Sequence, residues 1–278
     1  MGVLSVVSTP IGNLGDMTHR AVETLRGADI ILAEDTRRTG ILLRHYEITG
    51  RLVAAHEHNE ASRAAQVVAW LGEGKKIALV SDAGTPLLSD PGARIVREVA
   101  EAGYPVVPIP GASALLAALV ASGIATDRFT FFGFPSRKAS ERSALLDEVA
   151  ALSHTAVLYE SPQRLGRLLQ DLAQRTGADR RVAVARELTK LHEEVFRGTL
   201  ADATIHYGAG EPRGEIVVVV EGRDAKGAPE VDAHDARALA QTLLADGMPP
   251  SGVARELREQ LGMPRNDAYQ LAQQLAAS

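Results

Sequence analysis

Short apolar strands alternate with helical segments through the N-terminal part of this chain. The apolar runs lie at residues 3–8, 30–33, 53–55, 76–80 and 106–109. Strands that are apolar along most of their length, and that are separated by helices, are typical of a mostly parallel sheet covered on both faces. The sequence therefore predicts an α/β domain over residues 1–115.

One of the intervening helices, predicted over residues 62–72, carries its apolar residues at helical spacing. Ala65, Val68, Ala69 and Leu71 are expected to form the face that packs on the sheet. Trp70 is expected to belong to the core of the same helix. An amphipathic helix of this kind fits a sheet that is covered by helices.

Strands of a different character follow over residues 116–224. The first is rich in aromatic residues, and later ones resemble hairpins. They lie at residues 129–134, 155–158, 181–185, 193–197 and 216–221. This pattern predicts a mixed sheet rather than a second copy of the first domain. The predicted fold class is therefore α/β, with two dissimilar α/β domains.

A polar linker at residues 224–232 separates this second domain from three predicted short helices at residues 233–278. The three helices resemble a helix-turn-helix. From His234 to Ser278 the chain has four basic and five acidic residues. This charge balance argues against a DNA-reading helix and favours packing or dimer contact.

Composition excludes several classes of protein. The 278 residues contain no cysteine, which excludes disulfides, thiolate metal sites and cysteine nucleophiles. The formal net charge of −5 disfavours sequence-blind nucleic-acid binding, although a local basic patch can still hold a structured RNA. No apolar run approaches the ~20 residues that span a membrane, and the first residues lack the pattern of a signal peptide. We expect a cytoplasmic protein without DNA or membrane partners.

The loop after the fourth apolar run has the composition of a ligand-binding loop. Residues 81–92 read SDAGTPLLSDPG. Small residues let a ligand approach the backbone, and the prolines hold the loop in shape. Comparable loops follow other strands, at residues 9–13, 110–114, 159–162 and 186–190. Such strand ends meet in one crevice of an open α/β sheet, so we predict one site shared between the two domains.

The ligand of this site is indicated by what the loops contain and lack. No Gly-x-Gly-x-x-Gly pattern follows the first strand and no Walker-type Gly-Lys-Ser is present, which removes the main support for a dinucleotide or a triphosphate. Loops rich in backbone donors and acceptors, with little positive charge, suit a nucleoside with an amino-acid tail better than phosphates.

Five segments carry a resemblance to a known family. They are STPIGNL at residues 8–14, AEDTR at 33–37, SDAGTPLLSDPG at 81–92, IPGAS at 109–113 and YESP at 159–162. In this order and spacing they resemble the ribosomal RNA small subunit methyltransferase I family, a branch of the tetrapyrrole methylase-like superfamily. The match extends from about residue 3 to residue 221. The superfamily's Gly-Gly-Asp-Pro loop stands here as AGTP, which is this family's own variant.

The resemblance implies S-adenosyl-L-methionine as the methyl donor, folded in the cleft between the two α/β domains. It implies 2′-O-methylation of a cytidine in the decoding region of 16S ribosomal RNA in the small ribosomal subunit, and a homodimer. The residues that it implies for donor binding are Pro10, Gly12, Ala83, Gly84, Thr85, Pro86, Leu88, Ser113, Ala114, Tyr159, Glu160, Leu188 and Gly214. Pro10 would border the donor, and Ala83, Gly84, Thr85 and Leu88 would cradle its methionine part and ribose. Ser113 and Ala114 would meet its methionine end, and the last four residues would hold the adenine side.

Methylation of a ribose hydroxyl needs a general base, or a cation that lowers the pKa of the hydroxyl. The candidate catalytic residues are Glu34, Asp35, Glu187 and Lys190, and the sequence leaves their ranking open. The candidate RNA contacts are Arg37, Arg38, Arg137, Lys138 and Arg186, whose cationic groups can hold phosphates.

Each of these candidates has a structural alternative. Glu34 and Asp35 can simply pair with Arg37 and Arg38, Glu187 with Lys190 can be a surface pair, and residues 137–138 can belong to a solvated loop. His56 and His58 resemble a metal pair but have no third ligand nearby, so no metal site is predicted.

Three other functions compete with RNA methylation. A tetrapyrrole C-methyltransferase would use the same donor site, but Glu34 and Asp35 would repel the carboxylates of its macrocycle. A non-catalytic sensor of an adenosyl ligand would need DNA-binding C-terminal helices, which their charge disfavours. A dinucleotide oxidoreductase lacks the glycine fingerprint.

Overall fold

The computed structural model describes residues 2–56, 59–208, 212–223, 233–261, 263 and 265–276. The chain divides into two compact units. The first unit comprises Met1–Ala150 and Thr155–Glu221, and the second comprises Ala151–His154 and Gly222–Ser278. The predicted linker at residues 224–232 lies outside the described residues.

The N-terminal sheet of the first unit has five strands, all parallel to their neighbours, in the order β3-β2-β4-β1-β5. The strands are β1 (Val3–Val7), β2 (Ile30–Ala33), β3 (Arg51–Ala54), β4 (Lys76–Val80) and β5 (Val106–Ile109). The connecting helices are α1 (His19–Arg26), α2 (Thr36–His45), α3 (Glu60–Gly72) and α4 (Ala93–Glu101). The mostly parallel sheet predicted from the apolar runs is confirmed.

Both faces of this sheet are covered because successive strand residues point to opposite sides. Leu32 and Leu79 pack in one core cluster with the helix residues Val67 and Val99. Ile31 and Ala78 pack in a second cluster on the other side, with Leu25 and Leu43 of α1 and α2. This double burial explains why the strands are apolar throughout.

The face of α3 that packs on the sheet differs from the predicted one. The helix buries Ala64, Val67 and Leu71, whereas Ala65 and Ala69 are exposed. Trp70 is only partly buried and packs against the edge of the core, with Arg51 over its ring. Alanine is small enough to tolerate either side, so its positions in the sequence do not fix the angle of the buried face.

The second sheet of the first unit has five strands in the order β6-β7-β10-β8-β9. The strands are β6 (Phe129–Gly133), β7 (Thr155–Glu160), β8 (Arg181–Arg186), β9 (Glu194–Thr199) and β10 (Ile216–Val220). The β6–β7 pair is parallel and the other pairs are antiparallel, so the predicted mixed sheet is confirmed. The accompanying helices are α5 (Ala114–Ala121), α6 (Ala139–Ala151), α7 (Pro162–Thr176) and α8 (Leu200–Gly208).

The second unit carries three helices among its described residues, α9 (Ala233–Ala245), α10 (Pro250–Leu261) and α11 (Arg265–Ala276). Their common core contains Val253 and Leu257 together with five buried alanines. Alanine at these contacts lets short helices approach closely without a large side chain between them. No helix in the described part of the chain combines the length and apolarity needed to cross a membrane.

Candidate active site

A cavity of about 410 Å³ lies in the first unit, where loops of the two sheets meet. Loops after the carboxyl ends of β2 and β4 form one side, and residues at the end of β7 and the start of β10 form another. The lining residues from the predicted donor set are Ala83, Gly84, Thr85, Leu88, Ser113, Ala114, Tyr159, Glu160 and Gly214. The structure thus brings nine residues from four separate segments to one cavity.

The wall formed by residues 81–92 is held in place by the loops beside it. Thr9 and Gly84 exchange two backbone hydrogen bonds, at 2.8 and 3.0 Å. The Thr85 hydroxyl donates to the Ala112 carbonyl at 3.1 Å and lies 3.1 Å from the Ser8 hydroxyl. Gly84 has a φ of +80°, and a Cβ there would lie 3.2 Å from Ile11 Cγ2. The backbone is therefore fixed before any ligand arrives, and position 84 favours glycine.

The N-terminus of α5 opens into the same cavity. Ser113 caps the helix by accepting a hydrogen bond from the Leu116 N–H, and Ser113 and Ala114 both line the cavity. The first N–H groups of a helix have no partner within it and carry partial positive charge. This end of α5 is therefore suited to the carboxylate of a ligand.

Glu34, Asp82 and Asp90 are among the acidic residues that line the cavity, together with Glu160 and Glu215. Burial raises the pKa of Glu34, and the negative charges of Asp82 and Asp90 raise it further. Burial also raises the pKa of Asp90, again with a contribution from Asp82. Arg38 partly balances this charge because its Nη1 lies 3.5 Å from Asp82 Oδ2. The cavity consequently favours a ligand with positive charge.

Asp35 has a different role from its neighbour Glu34. It caps α2 by accepting a hydrogen bond from the Arg37 N–H at 2.9 Å. Its carboxylate also pairs with the Arg37 guanidinium, Nη2 to Oδ2 at 2.8 Å, and these bonds lower the pKa of Asp35 to about 2. Asp35 does not line the cavity, so the structure contains the Asp35–Arg37 pair that was the structural alternative.

A second cavity, of about 250 Å³, shares part of its wall with the first. The residues that line both are Ile11, Arg38, Asp82, Ala83 and Glu215. Pro10, Gly12 and Lys190 line only the second. The two cavities are therefore neighbours, with Arg38, Asp82 and Glu215 as the charged residues at their junction.

Lys190 is held beside this junction by two carboxylates. Its Nζ lies 2.8 Å from Glu187 Oε1 and 3.3 Å from Glu215 Oε2. Burial alone would lower the pKa of Lys190, but the contacts with Glu187 and Glu215 outweigh that effect and raise it. The same hydrogen bond lowers the pKa of Glu187. Lys190 is therefore a fixed cation at neutral pH.

The loop that carries this pair has an unusual backbone. Glu187 and Thr189 have φ values of +50° and +66°, a region that residues other than glycine rarely adopt. Gly214 has a φ of +94°, and any side chain there would collide with the Glu187 carboxylate. Side chains other than glycine held in this region cluster at functional sites, where the surrounding structure supports them.

Glu160 reaches the cavity wall, but its carboxylate is already occupied. The carboxylate is fully buried and lies 3.1 Å from Arg142 Nη1 and 3.4 Å from Arg164 Nε. It also accepts a hydrogen bond from the Ser161 N–H at 2.9 Å. A ligand in the cavity would therefore meet the backbone around Glu160 rather than its side chain.

Tyr159 is the aromatic residue of this wall. Its ring packs edge-on against Phe131 and Phe134, with centroids 4.9 and 5.4 Å away, and burial raises its pKa. Phe134 is half exposed and lines the cavity beside it. Together they give this part of the cavity an apolar aromatic wall.

The remaining predicted residues lie elsewhere. Pro86 and Leu188 line neither cavity, and Leu188 packs against the core under α5. Among the predicted RNA contacts, Lys138 pairs with Glu141 at 2.9 Å, Arg137 is exposed, and Arg186 pairs with Glu194 at 2.9 Å. His58 lies outside the described residues, and no group of three or more potential metal ligands occurs within them.

Comparison with known proteins places this chain in a family. Residues 3–204 match the profile of Tetrapyrrole (Corrin/Porphyrin) Methylases. The chain is 48% identical over 277 residues to the ribosomal RNA small subunit methyltransferase I of Synechocystis sp., covering 100% of this chain and 99% of that protein. The chain belongs to the ribosomal RNA small subunit methyltransferase I family. The family's protein in Bacillus subtilis is 47% identical over 84% of this chain and 79% of its own length.

Solved structures of proteins with other names have the same fold. Uroporphyrin-III-C-methyltransferase from Thermus thermophilus aligns with a TM-score of 0.57 at 24% identity, over 81% of this chain and 96% of its own. Diphthine synthase aligns with a TM-score of 0.62 at 16% identity, over 79% of this chain and 90% of its own. The fold of this methyltransferase family is thus shared with proteins whose names indicate different substrates.

Sequence reasoning missed several residues that line the cavities in this family member. Asp82 and Asp90 lie in the predicted ligand loop SDAGTPLLSDPG, but neither aspartate is among the residues predicted to bind the donor. Phe134 is the last residue of the predicted aromatic strand, but nothing in the sequence indicates that its ring lines a cavity. Glu215 precedes β10 with no local pattern to mark it, because its neighbours in the cavity are remote in sequence.

Proposed function

We propose that this protein transfers a methyl group from S-adenosyl-L-methionine to the 2′-oxygen of a cytidine in the decoding region of 16S ribosomal RNA. The observation that carries the proposal is the pair of neighbouring cavities that share Arg38, Asp82 and Glu215. One cavity suits a small cationic nucleoside, and the other gives a second reactant access to it. The relatives at 47–48% identity, named for methylation of small-subunit ribosomal RNA, support this choice of acceptor.

The residues of the larger cavity fit this donor. Its volume of about 410 Å³ lies within the ~300–1,000 Å³ of small-molecule sites. The N-terminus of α5 suits the donor carboxylate, and the carboxylate of Asp90 suits one of its positive charges. The rings of Tyr159 and Phe134 suit its adenine. When bound, S-adenosyl-L-methionine supplies an electrophilic methyl group, and it leaves as a neutral thioether.

The chain's contribution to the reaction is alignment and control of one proton. The rigid loop at residues 81–92 orients the donor side, so that the acceptor oxygen can be held in line with the methyl group. Lys190 faces the smaller cavity as a cation that lowers the pKa of a nearby hydroxyl or holds an adjacent phosphate. Among the candidate bases, Glu34 fits proton acceptance best because its raised pKa makes it a stronger base than the salt-bridged Asp35 and Glu187.

The deciding experiment uses small ribosomal subunits from a strain that lacks the modification. The protein is incubated with these subunits and methyl-labelled S-adenosyl-L-methionine, and the RNA is digested to nucleosides. Label in 2′-O-methylcytidine supports donor, acceptor nucleoside and reaction together. Label in another nucleoside would contradict the acceptor nucleoside, and donor binding without any label would contradict RNA methylation and favour a donor sensor.

A tetrapyrrole acceptor is the control for this assay. Uroporphyrin-III-C-methyltransferase shares the fold, so uroporphyrinogen is offered to the protein in parallel. We expect no methylation of it, because Glu34, Asp82, Asp90 and Glu215 would repel a polyanionic macrocycle.

We further propose that the protein is a homodimer that acts in the cytoplasm, where small ribosomal subunits are found. Leu116 and Val120 support a contact between subunits because they are exposed one turn apart on the outer side of α5. Sedimentation velocity measures the mass in solution. A monomer at micromolar concentration would contradict the dimer without affecting the proposed chemistry.

A further inference from the structure

A third cavity, of about 470 Å³, opens beside the second sheet and is separate in its lining from the other two. It lies between the end of β8, the start of β9, the end of α8 and the segment before β10. The side chains that matter are Arg186, His192, Glu194, His206, Tyr207 and Arg213. They are basic or aromatic apart from one carboxylate, which distinguishes this cavity from the acidic donor cavity.

The single carboxylate of this cavity is fully engaged. Arg186 reaches Glu194 Oε2 through Nε and Nη2, both at 2.9 Å. His206 Nε2 lies 2.9 Å from Glu194 Oε1, and the Tyr207 hydroxyl donates to the same oxygen at 3.4 Å. The third nitrogen of Arg186 donates to the Arg213 carbonyl at 3.3 Å. Arg186 therefore neutralises Glu194 and anchors the segment before β10, and it has no free edge for a phosphate.

Two basic side chains of the cavity remain available. Arg213 and His192 are exposed, and neither side chain has a hydrogen bond or ion pair to any other residue in the described ranges. With Glu194 neutralised by Arg186, Arg213 gives the cavity an unbalanced positive charge. A guanidinium in this setting is suited to a phosphate.

The cavity also offers an aromatic wall. His206 stacks on Phe196 with centroids 5.0 Å apart and an interplanar angle of 29°, and its ring is half exposed. Tyr207 packs edge-on against His206 at 4.6 Å. Tyr207 itself is buried, so it supports the half-exposed His206 ring, and a ring fixed in this way binds an unstacked base with little loss of freedom. A phosphate-binding cation beside an aromatic wall is the chemistry that recognises a nucleotide.

The position of Arg213 connects this cavity to the proposed reaction. Gly214 and Glu215, the next two residues, line the donor cavity. Two residues of extended chain span only about 7 Å, which a single nucleotide step can bridge. We propose that the third cavity binds the nucleotide next to the methylated one in the RNA substrate, with Arg213 on its phosphate and the half-exposed ring of His206 against its base. This inference rests on the proposed function.

The test compares Arg213→Ala with Arg97→Ala. Arg97 is an exposed arginine of α4 that lines none of the three cavities, so its loss changes the net charge equally. For each variant we measure the KM for unmodified small subunits, kcat, donor affinity by calorimetry, and subunit binding against salt concentration. We expect Arg213→Ala to raise KM about tenfold and to reduce the salt slope of binding by about one. Its kcat and donor affinity should stay within about twofold of the parent values.

Further variants separate substrate contact from a structural effect. Arg213→Lys should restore most of the affinity, because it keeps the charge. His206→Ala should raise KM and His206→Phe should not, if the ring stacks on a base. An unchanged KM in Arg213→Ala, or a parallel loss of donor affinity through displacement of Gly214, would overturn the inference.

The same measurements distinguish failure of this inference from failure of the proposed function. If the parent protein methylates the subunits and Arg213→Ala does so equally well, only the third cavity is misassigned. If the parent protein binds subunits without methylating them, the proposed function fails and the placement beside a methylated nucleotide fails with it, whereas weaker binding by Arg213→Ala would still show an RNA contact at the third cavity. If the parent protein does neither, both fail.

Discussion

The carboxylate of Glu187 occupies the space beside Gly214 in which a side chain of residue 214 would stand. Gly214 thereby allows Glu187 to reach Lys190, and it lines the donor cavity itself. A residue with a Cβ at this position would have to move the carboxylate, the lysine or its own backbone. The donor side and the Lys190 side of the site are therefore linked by one glycine.

We expect Gly214→Ala to impair both donor binding and the placement of Lys190. Gly103→Ala is the control that separates this effect from backbone strain alone. Both glycines have positive φ values, +94° and +78°, but a Cβ at residue 103 meets nothing within 4 Å. Each variant should lose about 1–2 kcal/mol of stability from the backbone conformation. Only Gly214→Ala should also lose donor affinity and kcat. Equal loss of activity in both variants would contradict a specific role for the Glu187–Gly214 contact.

Lys190 is predicted to contribute more to turnover than to donor binding. Lys190→Ala should lower kcat about 100-fold, because it removes a positioned cation, while the donor Kd changes less than about threefold. Glu187→Ala should also lower kcat, because it releases Lys190 from its 2.8 Å contact with Glu187. Lys75→Ala, an exposed lysine at the opposite end of the parallel sheet, is the matched control. Unchanged kcat in Lys190→Ala would remove it from the mechanism.

Glu34 is predicted to set the acid limb of the pH–rate profile. Glu34 can accept a proton only in its ionised form. We therefore expect kcat to fall as the pH drops through the pKa of Glu34, which lies above the ordinary 4.5. Asp90→Asn removes a negative charge that raises this pKa, so the acid limb should move to lower pH at saturating donor. Glu34→Gln should abolish the limb along with most of the activity. A limb that stays in place in Asp90→Asn would contradict the assignment.

The buried ion pair behind the cavity is predicted to be a main support of the second sheet. Arg142→Ala would leave the fully buried Glu160 carboxylate with Arg164 as its remaining salt-bridge partner and should cost about 3–5 kcal/mol in urea unfolding. Arg167→Ala breaks a pair within α7, between the exposed Arg167 Nε and Asp171 Oδ2 at 3.8 Å, and should cost less than about 1 kcal/mol. If the two variants lost similar free energies of unfolding, the burial of the Glu160 carboxylate would not make its pair with Arg142 a main support of the sheet.

The strand-end loops could be predicted from the sequence, because their chemistry is local. Glycine, proline and aspartate in residues 81–92 mark a ligand loop without knowledge of any contact. Apolar strands separated by helices likewise predicted the parallel sheet. These features depend on neighbours within a few residues, which a sequence displays directly.

Features that depend on distant partners could not be predicted in the same way. Glu160 carries no sign of being buried, since its partner Arg142 lies 18 residues earlier on another element. Arg186 was expected to hold RNA, whereas its guanidinium is used by Glu194 on the adjacent strand and by the carbonyl of Arg213. The buried face of α3 was wrong by one position because alanine fits a core and a surface equally. In each case tertiary packing, not local preference, decided where the side chain points.

The C-terminal helices provide the last prediction. Every residue that lines the donor cavity belongs to the first compact unit, so deletion of residues 233–278 should leave donor affinity within about twofold. The same deletion should weaken binding to the small subunit or dimerisation. Calorimetry with S-adenosyl-L-methionine, sedimentation velocity and the KM for subunits measure the three effects, and a cooperative unfolding transition in the truncated chain is the control for folding. Loss of donor binding in a folded truncated protein would show that the helices support the donor site instead.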